Sequence, residues 1–334
     1  MNFNKILVIG SNSFTASNFI SYALKKNKKI IGISRSKEYP NYFLSYKLNK
    51  NLKTNFFFNK IDINKDINKL NDIIKNFKPE VIVNFAAQGE VRNSWKNSID
   101  WYQTNCLGVV NLTNLLIGNK FLQKYISIST PEVYGNSSKE IIENNNNFSP
   151  STPYAASKLA GDLHLITLYK KYGFPVIFTR SSNVYGPFQQ LYRIIPKTII
   201  NIKKNKKIYL HGFGKAKRNF IYIDDISSGI FNLLLKGKIN NVYHFSSKGK
   251  EISIKDLISL ICNIMDKEFD QNVNLIEENF GQDYSYKLNS NITKKNICWT
   301  SKVTLNEGIL KTLKWIDMNW NQIKYLQTEY KHKK

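Results

Sequence analysis

A chain of 334 residues with 42% hydrophobic side chains has the length for one large domain or two ordinary ones, and enough apolar mass for a core. Its 49 Lys+Arg against 24 Asp+Glu give a formal net charge of +25, yet the basic residues are mostly scattered Lys amid Asn and Ile, and no zinc-finger, basic-helix or RNA-binding aromatic signature accompanies them, so nucleic acid is not an expected partner. Three distant cysteines (Cys106, Cys262, Cys298), no signal-peptide layout at Met1 to Lys5 and no apolar run near ~20 residues argue against a disulfide framework, a metal site and a membrane span, and point to a soluble cytoplasmic protein.

Lys5 to Ile9 is a β-branched run that reads as a strand buried on both faces. Gly10, Asn12, Ser13, Phe14 and Thr15 make a turn into a helix from about Phe14 to Lys25. Such a turn presents backbone N–H groups and a helix N-terminus to a pyrophosphate. The dinucleotide fingerprint has three glycines; here Gly10 remains, with Ser13 and Ala16 in the other two places. The next strand, Lys29 to Ile33, ends in Ser34, Arg35 and Ser36, where an adenosine ribose would lie. With an Arg and no acid there, the residues favour NADP over NAD. Asn55 to Phe58 reads as a third strand, followed by Asp62 and Ile63, the acid placed to meet an adenine amino group. Val81 to Phe85 reads as a fourth, ending in Ala86, Ala87, Gln88 and Gly89, a stretch able to run along a cofactor. A helix is expected from Trp95 to Ile117, containing Asn105 and stopping at Gly118. This alternation is the signature of right-handed βαβ units, and therefore of an α/β fold with a doubly wound parallel sheet.

Tyr125 to Ser129 reads as a buried strand, with Thr130-Pro131-Glu132-Val133-Tyr134-Gly135 at its end. After a solvated loop at Asn144 to Asn147, a helix should start just after Pro153 and carry Tyr154 and Lys158 on one face, four residues apart. An ammonium beside a phenol lowers a Tyr pKa that is about 10 unperturbed, and a phenol poised near neutrality suits proton removal from an alcohol. Pro175 to Arg180 is another strand, followed by Ser181-Ser182-Asn183-Val184-Tyr185-Gly186-Pro187. From there the alternation loosens: a helix from Ile194, a strand and turn over Ile208 to Gly214, then Arg218 to Tyr222, and a further sheet strand at Val242 to Phe245. Beyond Ser253 come helices and short extended pieces, a loop at Phe280 to Tyr284, and a tail at Lys331 to Lys334 expected to fray.

Four stretches in this order resemble the extended short-chain dehydrogenase/reductase family, and within it the nucleotide-sugar 4,6-dehydratases: Ser129 to Gly135, Pro153 to Lys158, Arg180 to Pro187, and Arg218 to Asp225. The resemblance implies a Rossmann-type NAD(P)-binding domain over residues 1–182 plus about 218–246. It implies a smaller C-terminal α/β domain for a nucleotide sugar over 183–217 and about 247–334. It assigns Tyr154 the proton of the sugar C4 hydroxyl, Lys158 the nicotinamide ribose, Thr130 the C4 oxygen and Glu132 the C5 proton. Gln88, Asn183, Arg193, Arg218, Asp283 and Tyr286 would hold the substrate, and a homodimer would form through the helices carrying Asn105 and Tyr154.

Two departures from the family pattern bear on the chemistry. Pro131 stands where dTDP-glucose dehydratases have an Asp that protonates the departing C6 hydroxyl, so Glu132 or a water must supply that proton. The family loop Arg-Pro-Gly-His-Asp appears as Asn279 to Asp283 and lacks its Arg, leaving Arg193, Arg218 and Asn183 as the candidate pyrophosphate ligands. Alternatives on the same fold are a 4-epimerase, which has no need of Glu132, and a UDP-glucuronate decarboxylase. A basic nucleic-acid binder or a non-catalytic NAD(P) sensor would make no use of Thr130, Tyr154 and Lys158 together.

Overall fold

The apolar runs become a seven-stranded parallel sheet in the computed structural model, which describes residues 3–48, 54–277 and 284–332. In chain order the first part contains β1 (Lys5–Ile9), α1 (Phe14–Leu24), β2 (Lys29–Ser34), β3 (Phe56–Lys60), α2 (Ile67–Phe77) and β4 (Val81–Asn84). Next come α3 (Val91–Ser94), α4 (Ser98–Tyr102), α5 (Gly108–Asn114), β5 (Lys124–Ile128), β6 (Ser137–Ile141), α6 (Pro153–Tyr172), β7 (Val176–Ser181) and β8 (Asn183–Tyr185). Then follow α7 (Ile194–Lys203), β9 (Ile208–His211), β10 (Lys217–Arg218), β11 (Phe220–Tyr222), α8 (Ile223–Lys236) and β12 (Val242–Phe245). The last are β13 (Ile252–Ser253), α9 (Ile254–Ile264), α10 (Phe269–Asn272), β14 (Val273–Ile276), β15 (Tyr286–Leu288), α11 (Asn291–Ile297), α12 (Leu305–Met318) and α13 (Trp320–Ile323).

Spatial strand order is β12-β7-β5-β4-β1-β2-β3. The chain winds outward from β1 through β2 to β3, then returns to the other side of β1 with β4, so the order reverses between β1 and β4. In open α/β sheets a crevice opens at the carboxyl ends of the two strands flanking such a reversal. Alternate side chains supply the two faces. Ile6 and Val8 pack with α1, α8 and α11 on one side, and Leu7 and Ile9 pack with α2, α5 and α6 on the other. A separate apolar cluster joins α7, α9 and α12 to the paired strands β9 and β14. No helix among the described residues is long and apolar enough to cross a membrane.

Two expectations are corrected. The helix expected from Trp95 to Ile117 runs instead from Ser98 to Asn114, as α4, a π turn and α5, because Asn97 leaves helical geometry at φ −150°, ψ 66° and separates it from α3. Between α4 and α5 one wide π turn, Gln103–Leu107, swings Asn105 into the interior, where its amide bonds Gln88 and Ser157. The tail does not fray at its described end: His332 stacks on the buried Trp101 with ring centroids 5.0 Å apart.

Candidate active site

α1 and the loop after β4 meet at the strand-order reversal. Gly10 follows β1 at φ +79°, in the left-handed region that favours glycine, and a Cβ there would lie 2.6 Å from the Ala86 backbone nitrogen. The two loops therefore close on each other only because residue 10 has no side chain. Ser13 caps α1 by accepting the Ala16 N–H, and the first turn of α1 contains no acid, which leaves its N-terminal field open to an anion. Asn12 ties this loop to the end of β2 through Ser36 and Lys37, while its Oδ1 is buried without a partner among the described residues.

A cleft of about 1320 Å³ opens here. It is lined on one side by Gly10, Asn12, Ser13, Phe14, Thr15, Ser34, Arg35, Asp62, Ile63, Ala86, Ala87 and Gln88, as expected of cofactor-binding residues. The glycine cradle, the free helix N-terminus and the unpartnered Asn12 oxygen all fit a dinucleotide. Asn105 does not reach the cleft; it stands behind the wall, with Oδ1 accepting the Gln88 N–H at 2.9 Å and Nδ2 spent on the Gln88 carbonyl and Ser157 Oγ.

Thr130, Glu132 and Tyr154 reach the same cleft from two elements. Thr130 lies just beyond the strand β5 and caps a 3₁₀ turn, Pro131–Tyr134, that carries Glu132; its Oγ1 accepts the Glu132 N–H at 3.3 Å. Thr152 caps α6 by accepting the Ala155 N–H, and Pro153 occupies the first helical position, so α6 begins one residue before Tyr154. Thr130 hydrogen-bonds the Tyr154 phenol, and the Glu132 carboxylate bears on it electrostatically.

The local electrostatics differ from the expectation. The Tyr154 phenol is pushed up, not down: removal from water raises its pKa, the Glu132 charge adds to that, and Thr130 and Arg193 only partly oppose them. Lys158 is buried and does not line the cleft; its ammonium donates to the Ile128 carbonyl at 2.8 Å. Burial lowers the Lys158 pKa, and the Asp162 carboxylate raises it in opposition.

Asp162 belongs to a buried polar chain that the sequence reading missed. It accepts Ser129 Oγ at 2.5 Å, Ser127 Oγ at 3.3 Å and the Arg180 guanidinium at 3.4 Å. Arg180 in turn donates to the Tyr134 hydroxyl, which lies 2.9 Å from His244 Nε2. His244 Nδ1 faces the Asn289 carbonyl at 3.0 Å, an acceptor only, so Nδ1 carries the proton and Nε2 accepts from Tyr134. Burial first, and the Arg180 charge second, hold the His244 pKa down at about 3, so the ring is neutral. The chain thus pins both ends of the turn that carries Glu132. The position of Asp162, four residues after Lys158 on the same helix, was the available signal.

Across the cleft, Asn183, Arg193, Arg218 and Tyr286 line the opposite side. The Arg218 guanidinium lies 4.8 Å from the Tyr286 ring centroid, and the Tyr286 hydroxyl donates to Asn183 Oδ1 at 3.2 Å. Asp283 lies outside the described residues.

Residues 6–245 match the model of the NAD dependent epimerase/dehydratase family. The chain belongs to that family. Among curated relatives of this epimerase/dehydratase, a dTDP-D-glucose 4,6-dehydratase of Dictyostelium discoideum is 34% identical, over 95% of this chain and 82% of the relative. The crystal structure of dTDP-glucose 4,6-dehydratase from Bacillus anthracis in complex with NAD superposes with a TM-score of 0.86 at 30% identity, covering 97% of this chain and 100% of that one. A UDP-glucose 4-epimerase from Thermotoga maritima reaches 0.85 at 23% identity, over 95% and 99%, a likeness of fold alone. The fold is therefore common to dehydratase and epimerase. Of the two cofactors compatible with the sequence, the neighbours support NAD; Arg35 lies within electrostatic reach of the C-terminal Tyr330.

Proposed function

We propose that this enzyme is an NAD-dependent nucleotide-diphosphate-hexose 4,6-dehydratase of the dTDP-glucose type, converting its substrate to a 4-keto-6-deoxy sugar. The observation that carries the reading is Glu132. It stands on a turn shared with Thr130, opens to the cleft, and bears on Tyr154, whereas epimerisation at C4 has no use for a second base. NAD, when bound, supplies the sink for the C4 hydride and its source for C6. Gly10, the α1 N-terminus, Asp62 and the Ala86–Gln88 wall are the residues that would hold it, with Asn105 and Lys158 acting from behind that wall.

Tyr154 takes the O4 proton while Thr130 fixes the oxygen by hydrogen bond. The resulting 4-ketone acidifies C5, and Glu132 removes that proton. Pro131 has none to give, so Glu132 hands the C5 proton to the departing C6 hydroxyl, and water leaves. Reduction at C6 and a solvent proton at C5 complete the product; the proton released from O4 balances the one taken up. Arg193, Arg218 and Asn183 hold the diphosphate end, with Tyr286 backing Arg218.

The substrate-binding part comprises 183–217 and about 247–334, built around the apolar cluster of α7, α9 and α12. The enzyme works as a homodimer, a reading supported by apolar side chains exposed on adjoining elements: Ile99 and Leu107, 73% and 49% exposed, and Leu163 on α6, 46% exposed. The protein acts on a nucleotide sugar and needs neither nucleic acid nor membrane. Incubation with dTDP-glucose tests the reading. A product absorbing in alkali is expected, and Glu132→Gln should retain cofactor reduction but stop elimination. Conversion to an epimer, or unchanged turnover by the Gln variant, would refute it.

A further inference from the structure

The C-terminal segment bridges the two sides of the cleft. It leaves α13 and is fastened to α7 where Lys197 meets Glu329 at 2.6 Å. The Tyr330 ring then packs edge-on against Tyr192 with centroids 5.1 Å apart. The segment reaches the opposite side at α4, where His332 Nε2 lies 2.6 Å from Asp100 Oδ2 and the imidazole stacks on Trp101. Leu326 and Gln327 before these fastenings, and Tyr330 and Lys331 among them, line the same cleft as Asn12, Arg35 and Ser36. Arg35, Glu90 and Arg193 all act electrostatically on the half-buried Tyr330 hydroxyl.

Nothing in the mechanism uses this segment, yet it occupies the cofactor side of the cleft. The fastenings are unequal. An ion pair whose Glu329 side chain is 77% exposed contributes little. Stacking on a fully buried indole, combined with a paired carboxylate, is the stronger hold. We infer that residues 326–332 form a further wall of the cofactor site, and that the latch of His332 on Trp101 and Asp100 sets how long NAD stays bound. A dinucleotide seated between Asn12, Arg35 and the α1 N-terminus leaves only after the latch opens, so the segment acts on the dissociation rate.

The inference rests on NAD as the cofactor, and the experiment separates the two. NAD-loaded protein is mixed with excess isotopically labelled NAD, and exchange is followed by gel filtration and mass spectrometry. The variants are His332→Ala, a chain stopped after Tyr325, and Tyr325→Ala as a control, since that ring is 84% exposed and outside the cleft. His332→Ala should release NAD several-fold faster and the shortened chain roughly tenfold faster, the scale of one aromatic contact with one hydrogen bond to Asp100. The control should match the unaltered protein. Exchange at the unaltered rate in His332→Ala and in the shortened chain overturns the latch; if the shortened chain does not fold, the His332→Ala rate decides alone. An unaltered chain that neither carries nor binds NAD refutes the cofactor reading itself, and the latch with it.

Discussion

Replacing Asp162 by Asn keeps the shape of the side chain and removes one buried negative charge. Asp162 and Arg180 are each 2% exposed, so the guanidinium loses its counter-charge in a place water does not reach. Breaking a buried pair from one side costs about 3–5 kcal/mol, a large share of the ~5–15 kcal/mol that holds a native protein together. Equilibrium unfolding in urea should therefore show a clearly lower midpoint. Adding Arg180→Met should recover most of the loss, because an apolar replacement for the whole pair leaves no orphaned charge. A second readout follows from Lys158. Burial pulls its pKa down and Asp162 pulls it up, so without Asp162 the ammonium deprotonates at lower pH. The alkaline limb of kcat/KM should move to lower pH. A variant with the unaltered midpoint and the unaltered pH profile would show that the buried chain neither stabilises the turn nor acts on Lys158.

Tyr154→Phe removes the proton acceptor and should lower kcat by about 10²–10⁴, with NAD binding, read by fluorescence, unchanged. The Glu132 charge helps hold the Tyr154 pKa up, so in Glu132→Gln the residual cofactor reduction, followed at 340 nm, should shift its pH dependence to lower pH. Gly10→Ala would place a Cβ 2.6 Å from the Ala86 nitrogen at φ +79°; strain of about 1–3 kcal/mol and loss of bound NAD are expected in thermal unfolding and mass spectrometry. His244 is held neutral with a pKa near 3 against the ordinary 6.5, so between those values the unfolded chain binds a proton that the folded one refuses. Stability should fall as pH drops through that window, by about 1.4 kcal/mol per unit for this group, and an acid titration of His244→Gln should be flatter.

The sheet was legible because its strands are β-branched runs that pack on both faces, and the Thr130–Glu132 turn and the helix with Tyr154 and Lys158 because those residues sit in recognisable surroundings. What escaped depended on distance in the chain or on competing terms. The 95–117 stretch has helical periodicity throughout, and only the Asn97 backbone and the inward pull on Asn105 break it. Spacing placed Tyr154 and Lys158 on one helix face, but not the Lys158 bond to the Ile128 carbonyl, nor the balance in which desolvation and the Glu132 charge outweigh Thr130 and Arg193 at the phenol. A short basic tail reads as solvated until Trp101, far away in sequence, offers His332 a surface.

The seventh strand has a consequence for biosynthesis. β12 pairs with β7 across the whole of the intervening 182–241 segment, so a nascent chain that has delivered β7 still presents its backbone N–H and C=O groups as an open edge. Such an edge templates pairing with other chains. In the finished sheet β12 is the end strand, so its arrival exchanges the six-residue edge of β7 for a four-residue one, and fragments ending near residue 182 should self-associate more readily than those reaching past β12.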